Sequence, residues 1–407
     1  MREFLRRIDQ EFTEDRARVM AAVGVLPFIM IMGWALIRMV VWEWDNGYTF
    51  GFDFTAFWAA AKLAVAGNAH WAFDIDLFDP LADLAGRVGG YLYWHYPPTW
   101  VALLYPFGWM APPTALLVFS AITLSVWTWI VVATIPVGTW GERLAVLLSP
   151  ALYLTIIGGQ NGVLVAACLC LFVHGVFQKR DWMVVLACTL LLAKPHFGVL
   201  MPVVLIALGR WKAVGASAVF GTVFIVASIA LTGRPYLDAF IANFHTLSTA
   251  IDSVGLVRLQ YSLYAFLKSL GVSQSIAVAA QVPVALAAIG TCWIAFRSEH
   301  YGRDLQTATF LIGSLMISPY AFIYDLPAAV IGMWFLHRAI KHTPIPGYTL
   351  VFSLVWLTPA VHQKLFNMSG VSLGFIPMAA VSYVVIASLM KKNAPTGQDV
   401  ALDAKHT

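Results

Sequence analysis

Charged residues are scarce in this sequence of 407 residues. Asp, Glu, Lys and Arg make up 11% of the chain and hydrophobic residues 60%, whereas charged residues are about a quarter of a typical soluble domain. This composition excludes both a soluble globular protein and a disordered chain. Because one membrane span needs about 20 residues, the length has room for roughly ten spans and their loops.

Cysteine and basic runs are scarce as well. Four cysteines are present, at Cys168, Cys170, Cys188 and Cys292, and each lies within an apolar run. Their spacing fits neither a zinc site nor a disulfide in a polar loop, so we interpret them as small buried hydrophobic residues. The net charge is only +4, which argues against a nucleic-acid partner. No cofactor and no metal site are predicted.

Long apolar runs, in contrast, fill most of the chain and predict an all-α polytopic membrane protein with roughly 10–13 transmembrane or re-entrant helices. Residues 1–19 predict a cytoplasmic amphipathic segment, and residues 392–407 a cytoplasmic tail. A single membrane domain is predicted over 20–391, beginning with an uncleaved anchor over 20–42. The later apolar segments lie at 99–110, 114–136, 142–157, 163–177, 183–193, 196–208, 213–231, 275–296, 305–318, 326–338, 347–361 and 371–390.

Several of these segments have fewer than 18 residues, which is too short for a simple span. Pro106, Pro195 and Pro319 stand where such segments break off. Irregular backbone is tolerated at membrane depth only where protein buries it or where it lines a cavity. The sequence therefore predicts broken helices around a polar cavity.

The distribution of basic residues predicts the orientation. If the connectors between spans lie on the two sides of the membrane in turn, 17 of the 25 Lys and Arg residues lie on one side, together with both termini. The other eight lie on the opposite side. By the positive-inside rule the first side is the cytoplasm. The loops at 43–97 and 232–273 are then extracytoplasmic. The polar clusters sort to the same outer side, which predicts an extracytoplasmic active site.

The first outer loop contains Gly51-Phe-Asp53-Phe-Thr-Ala-Phe-Trp58. Apolar residues recur there at helical spacing, which predicts an interfacial helix with Asp53 just before its first turn. An Asp in that place caps a helix. It is also suited to act as a general base if it reaches an acceptor hydroxyl. Both interpretations stay open at this point.

Three other outer clusters each allow two interpretations. Asp74 and Asp76 form an Asp-x-Asp, which is either a divalent-metal pair or a solvated loop or helix cap. His95 is either a packed interfacial histidine or a ligand for phosphate or a sugar hydroxyl. Gln160 and Asn161, flanked by glycines, either satisfy a tight turn or bind sugar hydroxyls.

Lys194-Pro195-His196 interrupts an otherwise apolar run. A lysine at mid-bilayer costs about 2.5–3.5 kcal/mol on insertion scales, and such residues are functional by default. Phosphate is a natural partner for it, and a snorkelling structural lysine is the alternative. Asp325, after Tyr324, is equally isolated. We expect it either to pair with Lys194 or Arg258 or to orient a ligand.

The second outer loop returns toward the membrane at Arg258, Gln260 and Tyr261. Its polarity alone indicates only a surface loop. Arg258 is the better phosphate candidate within it, because it lies beside the amide of Gln260 at the point where the chain re-enters the apolar phase.

Six motifs, in this order over residues 45–340, resemble glycosyltransferase family 87, membrane enzymes of the GT-C class. They are Gly51 to Trp58, Gly67 with Phe73-Asp74, Tyr96-Pro97-Pro98, Gly159-Gln160-Asn161, Lys194-Pro195, and Ser318-Pro319 with Tyr324-Asp325. The family often has a histidine near the last block, where this chain has Tyr324. Beyond about residue 345 only hydrophobic spans correspond.

The resemblance implies a polyprenyl-phosphate-sugar donor, an extracytoplasmic active site and no nucleotide sugar. It makes Asp53 the expected general base, and Lys194 and Arg258, with His95, the expected contacts of the donor phosphate. The sugar or acceptor contacts are then expected among the remaining polar residues of these clusters. They are Asp74, Gln160, Asn161, His196, Gln260, Tyr324 and Asp325.

The function predicted is transfer of a sugar, mannose or another hexose, to a lipid-linked or envelope glycan on the outer face of the inner (plasma) membrane, with inversion. A secondary transporter or lipid flippase is the alternative from another class, since it too has broken helices and intramembrane charges. Repeat-built transporters have matched interruptions in their two halves, and the polar clusters of this chain are unequal and one-sided. Neither the acceptor nor the oligomeric state is predicted.

Overall fold

The structure is a computed structural model, and it describes most of the chain after residue 50. The described ranges are 51–85, 94–134, 140–243 and 255–393, with five isolated residues before them, Glu3, Asp9, Ile29, Met30 and Gly33. The predicted first span over 20–42, most of the N-terminal segment and nearly all of the tail therefore lie outside the described residues.

The described ranges are helical throughout, joined by short turns. In chain order the helices are α1 (Phe52–Val65), α2 (Ile75–Leu84), α3 (Pro98–Leu104), α4 (Pro112–Thr134), α5 (Trp140–Leu147), α6 (Pro150–Gly158), α7 (Gly162–Phe177), α8 (Asp181–Leu190), α9 (Leu200–Ala207), α10 (Trp211–Thr232), α11 (Arg234–Asn243), α12 (Leu263–Ser269), α13 (Gln274–Arg297), α14 (Arg303–Ile317), α15 (Pro327–Ile340), α16 (Tyr348–Ser369) and α17 (Phe375–Asn393). Within those ranges the only extended pairing is an isolated antiparallel bridge between Gln260 and Phe322.

Four of the described helical segments are long and apolar enough to cross a membrane. They are Pro112–Ala133, Gly141–Gly158, Trp211–Thr232 and Gln274–Arg297. Shorter apolar helices, such as Gly162–Phe177, lie between them. The prediction of an all-α polytopic membrane protein is confirmed.

Broken helices occur at the three prolines that the sequence singled out. Pro106 lies in the 3₁₀ turn Tyr105–Trp109 after α3, and Pro319 lies between α14 and α15. Pro195 opens the 3₁₀ turn Pro195–Phe197, with Lys194 directly before it. Proline lacks the N–H that would continue the preceding helix, so the chain turns at each of these points.

Helix α1 is more enclosed than its sequence pattern predicts. The pattern predicts one buried face, but the buried residues run almost without interruption from Phe54 to Ala64. The Phe57 ring, for example, makes edge-on contacts with the rings of Tyr96 and Trp100. A helix that is apolar on all sides is buried on all sides.

The N-terminal segment has one described attachment to the helical body. Asp9 is buried and accepts hydrogen bonds from the backbone N–H of Gly347 at 2.7 Å and from the hydroxyl of Thr349, also at 2.7 Å. These groups lie at the beginning of α16, where backbone N–H groups have no partner within the helix. The carboxylate therefore caps α16 from a distant part of the chain.

Candidate active site

Two glycine-containing segments bring Asp53 against the Gly158–Gln160 turn. Gly51 and Gly159 both have positive φ, 71° and 65°. A Cβ on Gly159 would lie 2.5 Å from the Cβ of Phe54, and one on Gly158 would lie 3.3 Å from the Oδ2 of Asp53. Any side chain at Gly159 would therefore collide with α1. Glycine at these positions lets the two segments touch.

Asp53 is not the N-cap of α1. Gly51 occupies that position, and no side chain caps the helix there. The Asp53 side chain is half-buried and hydrogen-bonds to the side chain of Gln160. The capping interpretation is therefore excluded, and the carboxylate faces the turn between α6 and α7.

Gln160 links Asp53 to Tyr96, a residue whose place in the site was not predicted from the sequence. The buried Gln160 side chain is hydrogen-bonded both to Asp53 and to the hydroxyl of Tyr96. Tyr96 belongs to the Tyr-Pro-Pro motif, whose prolines fix the entry into α3. That rigid motif was the available signal for Tyr96. His95 stacks on the Tyr96 ring, with centroids 5.5 Å apart.

Lys194 and Asp325 form a buried ion pair across 131 positions of sequence. The Lys194 Nζ lies 2.8 Å from the Asp325 Oδ1, and the side chains are 8% and 0% exposed. Asp325 also accepts a hydrogen bond from the backbone N–H of Phe322 at 3.1 Å. The ammonium lies 5.1 Å from the centre of the Tyr324 ring. Pairing, one of the two alternatives for Asp325, is therefore present.

The Gly158–Gly162 segment contacts the Tyr324–Asp325 turn as well as Asp53. A Cβ on Gly162 would lie 1.7 Å from the carbonyl oxygen of Tyr324. The Thr155 hydroxyl donates a hydrogen bond to that same oxygen at 3.1 Å. The positive charge of Lys194 also acts on Asp53. The carboxylate of Asp53 and the Lys194–Asp325 pair therefore belong to one site.

The segment Gln260–Tyr261 brings buried amide and hydroxyl groups to the same turn. Gln260 forms the isolated bridge to Phe322, and the Tyr261 N–H donates to the carbonyl of Ala321 at 3.0 Å. The Gln260 side chain is fully buried, and neither of its polar atoms has a partner among the described residues. The same holds for the Tyr261 hydroxyl.

Two further buried polar atoms without a partner belong to the segments that contain Gln160 and Lys194. The Asn161 Oδ1 and the His196 Nε2 have no partner in the described part of the chain. Leaving a buried polar group unsatisfied costs about 1–3 kcal/mol. Together with Gln260 and Tyr261, these atoms offer donors and acceptors to a hydroxyl-rich ligand.

An apolar cavity of about 330 Å³ adjoins this site at Asn161 and Lys194 and lies between α3, α4, α7 and α8. Its wall is formed by side chains such as Trp100, Phe107 and Phe119, and Asn161 and Lys194 are its polar lining residues. A cavity with apolar walls and one positively charged lining residue suits a molecule that has a hydrocarbon chain and an anionic group.

Two of the predicted site residues lie elsewhere or face solvent. Asp74 is the N-cap of α2, where its exposed carboxylate accepts the N–H of Asp76 at 3.0 Å. Arg258 lies in the exposed 3₁₀ turn Leu256–Leu259, directly before Gln260. Their substrate-binding roles stay predictions.

Comparison with known proteins gives one result for this chain. The profile of glycosyltransferase family 87 matches residues 94–319, which is more than half of the sequence. The matched range includes Tyr96, Gln160, Lys194 and Gln260, and it ends before Tyr324. Searches of curated proteins and of solved structures returned no match. The extent of the family match shows that this membrane protein is a glycosyltransferase and belongs to glycosyltransferase family 87.

Proposed function

We propose that the protein transfers a hexose, mannose in the first instance, from a polyprenyl-phosphate donor to a lipid-linked or envelope glycan. The observation that carries the proposal is the position of Lys194, which lies both in the site with Asp53 and at the wall of the apolar cavity. A prenyl chain fits the cavity wall, and its phosphate meets the ammonium. A water-soluble nucleotide donor would make no use of that cavity.

Asp53 is the general base in this proposal. Its carboxylate takes the proton of the acceptor hydroxyl while the hydroxyl oxygen attacks the anomeric carbon. The bond between that carbon and the phosphate oxygen breaks, and the pair of electrons leaves with the phosphate. One displacement of this kind inverts the anomeric centre. Gln160 holds the carboxylate in place through its hydrogen bond.

Lys194 stabilises the leaving phosphate, with Arg258 and His95 as further contacts. A fixed positive charge next to developing negative charge lowers the barrier most effectively where water is excluded. Asp325 holds the ammonium in position at 2.8 Å. We assign Gln160, Asn161, His196, Gln260 and Tyr324 to the sugar and the acceptor, because their polar or aromatic groups surround the pair.

The activity should fall as the pH decreases through about 6. Burial raises the pKa of Asp53 from 3.8 to about 6, against the opposing effects of the Gln160 hydrogen bond and of Lys194. Only the ionised carboxylate is a base, so activity is present above this pKa and lost below it. Because this pKa is higher in the folded than in the unfolded state, protonation of Asp53 at acidic pH stabilises the folded protein, so the loss of activity is not an acid unfolding caused by this group. The measurement is kcat/KM between pH 5 and 8, and a flat profile would contradict the role.

The orientation gives a separate prediction. The 17-to-8 division of basic residues places the loops at 43–97 and 232–273 outside and both termini inside. In a variant without the four native cysteines, we expect Asp76→Cys and Asp238→Cys to react with an impermeant thiol reagent on intact cells. Lys341→Cys should react only after permeabilisation. The reverse pattern would place the active site on the cytoplasmic face.

Transfer by the purified protein tests the proposed function directly. The protein in proteoliposomes is incubated with a panel of radiolabelled polyprenyl-phosphate sugars and a membrane-lipid extract, with a nucleotide sugar panel in parallel. We expect label in a lipid or glycan product only from the polyprenyl-phosphate donors. Label from the nucleotide sugars alone would contradict the proposal, and label carried across the bilayer without a new glycosidic bond would indicate a transporter or flippase.

A further inference from the structure

A second cavity, remote from the active site, lies where five helices end or begin. Its volume is about 1030 Å³, and it is lined by the end of α7, the start of α8, the end of α9, the start of α10 and the start of α14, with Phe296 of α13 at its side. None of the active-site residues named above lines it. The basic connectors assign this end of the helices to the cytoplasmic side.

Basic side chains dominate this cavity, which we call the basal cleft. Four of its lining residues are bases, and two are acids. The bases are Lys179, Arg210, Lys212 and Arg303, and the acids are Asp181 and Glu299. The helices α8, α10 and α14 also begin at this cleft, so the partial positive charge of each N-terminus adds to that of the bases. The cleft is therefore suited to an anion.

Two of the four bases are already engaged. Arg210 forms an ion pair with Asp181 and donates a hydrogen bond to the Val176 carbonyl at 3.1 Å. The Arg303 guanidinium lies 5.5 Å from the centre of the Phe177 ring. These contacts hold the walls of the cleft together.

The side chains of the other two bases, Lys179 and Lys212, are exposed and have no hydrogen bond or ion pair within the described ranges. Lys179 also has an unusual backbone. Its φ is +54°, and it is the one described non-glycine residue with a positive φ. This position follows the end of α7, where glycine is the favoured residue. A lysine there adopts a less favourable conformation, and it places an ammonium in the cleft that glycine would not provide.

The cleft also adjoins two helices whose surfaces are largely apolar and exposed. In α10 only 11% of the span is buried, and in α13 only 22%. Val219, Val223 and Val226 of α10 are each about 60% exposed. Trp182 and Trp211 are exposed at the cleft's end of the bundle, and tryptophan is enriched at the level of lipid headgroups. A ligand with an anionic head and acyl chains matches both surfaces at once.

We propose that the basal cleft binds the headgroup of an anionic phospholipid from the cytoplasmic leaflet. The phosphate lies between Lys179 and Lys212, and the acyl chains lie along α10 and α13. Basic pockets between transmembrane helices on this side of a membrane bind anionic headgroups by the same chemistry. The site holds this lipid apart from the donor and acceptor of the reaction.

The test compares phosphatidylglycerol with phosphatidylcholine on delipidated protein in a neutral detergent, with bound lipid counted by native mass spectrometry. The double variant Lys179→Gly/Lys212→Gln removes the two unpaired charges. Glycine fits the positive φ at position 179, and position 212 is exposed on a helix, so the variant should fold. The matched control is Lys341→Gln/Lys391→Gln, which makes the same change of charge at exposed residues outside the cleft.

We expect phosphatidylglycerol to bind at least tenfold more tightly than phosphatidylcholine. The cleft variant should lose about 30-fold in affinity for phosphatidylglycerol, since each lysine at an anionic lipid surface contributes about a factor of five. The control should change less than about threefold. Glycosyl transfer in phosphatidylcholine nanodiscs should be the same in all three proteins.

Equal binding of the two lipids, or undiminished binding of phosphatidylglycerol by the cleft variant, would overturn the proposal. Inorganic phosphate distinguishes a lipid from a soluble anion. If millimolar phosphate displaces phosphatidylglycerol from the wild type, the cleft is a site for small anions and the lipid assignment is wrong. Neither outcome bears on Asp53 or Lys194.

Discussion

Replacing Asp53 by asparagine should abolish sugar transfer while the protein remains folded. Asparagine keeps the size of the side chain and an oxygen that accepts the hydrogen bond from Gln160, but it cannot take a proton. Loss of a general base typically costs about 10²–10⁴-fold in rate. We therefore expect kcat to fall at least about 100-fold with little change in the midpoint of thermal unfolding, since burial already disfavours the charged form of Asp53.

Asp76→Asn is the matched control for this variant. Asp76 lies 23 positions after Asp53, in the first turn of α2, and its side chain is exposed. Its replacement makes the same change of charge outside the site and should leave kcat within about twofold. Near-normal turnover of Asp53→Asn, with normal expression and unfolding temperature, would remove Asp53 from the mechanism and leave it a structural contact of Gln160.

The fold class and the positions of the helix breaks were predictable because each depends on local sequence. Runs of apolar residues identify membrane segments, and helices break at Pro106, Pro195 and Pro319 because proline lacks the N–H that a helix needs. The rule is not general in this chain, since Pro283 and Pro359 lie inside α13 and α16. Lys194 stood out for a similar reason, since a charge within an apolar run is costly wherever the chain folds. No knowledge of neighbours in space is needed for these inferences.

The partners of these residues were not predictable from one sequence. The bond between Lys194 and Asp325 joins positions 131 residues apart, and pairing with Arg258 was equally open. The role of Gly159 in contacting α1 follows only from the measured approach of Phe54. Tyr96 has a hydroxyl like any other tyrosine, and only its hydrogen bond to Gln160 brings it into the site. Contacts between distant segments depend on packing, which a local pattern does not encode.

Replacing Lys194 by methionine should weaken donor binding and also destabilise the protein. The variant leaves the fully buried carboxylate of Asp325 without its cation, and breaking a buried pair in this way costs about 3–5 kcal/mol of stability. Removing the ammonium should also weaken the polyprenyl-phosphate donor by about 2–5 kcal/mol, the range for truncating one member of a buried charge pair. A single variant therefore does not separate a structural role from a phosphate contact.

The double variant Lys194→Met/Asp325→Asn separates them. Asparagine removes the unpaired negative charge and can still accept the N–H of Phe322, so stability should return to near that of the wild type. Donor affinity should not return, because the charge that met the phosphate is still absent. The single variant Lys194→Arg should keep part of the donor affinity, because it retains a positive charge. The affinity should stay below that of the wild type, because a planar guanidinium replaces a compact ammonium.

Donor affinity and unfolding temperature are measured for the two single variants, the double variant and the wild type, with acceptor affinity as the internal control. If the double variant binds the donor as tightly as the wild type, Lys194 serves only to neutralise Asp325, and the phosphate contact must come from another base. If donor affinity stays low in a protein of restored stability, the loss belongs to the ammonium itself. The ion pair with Asp325 then positions the ammonium of Lys194 at the wall of the apolar cavity, where it stabilises the negative charge of the leaving phosphate.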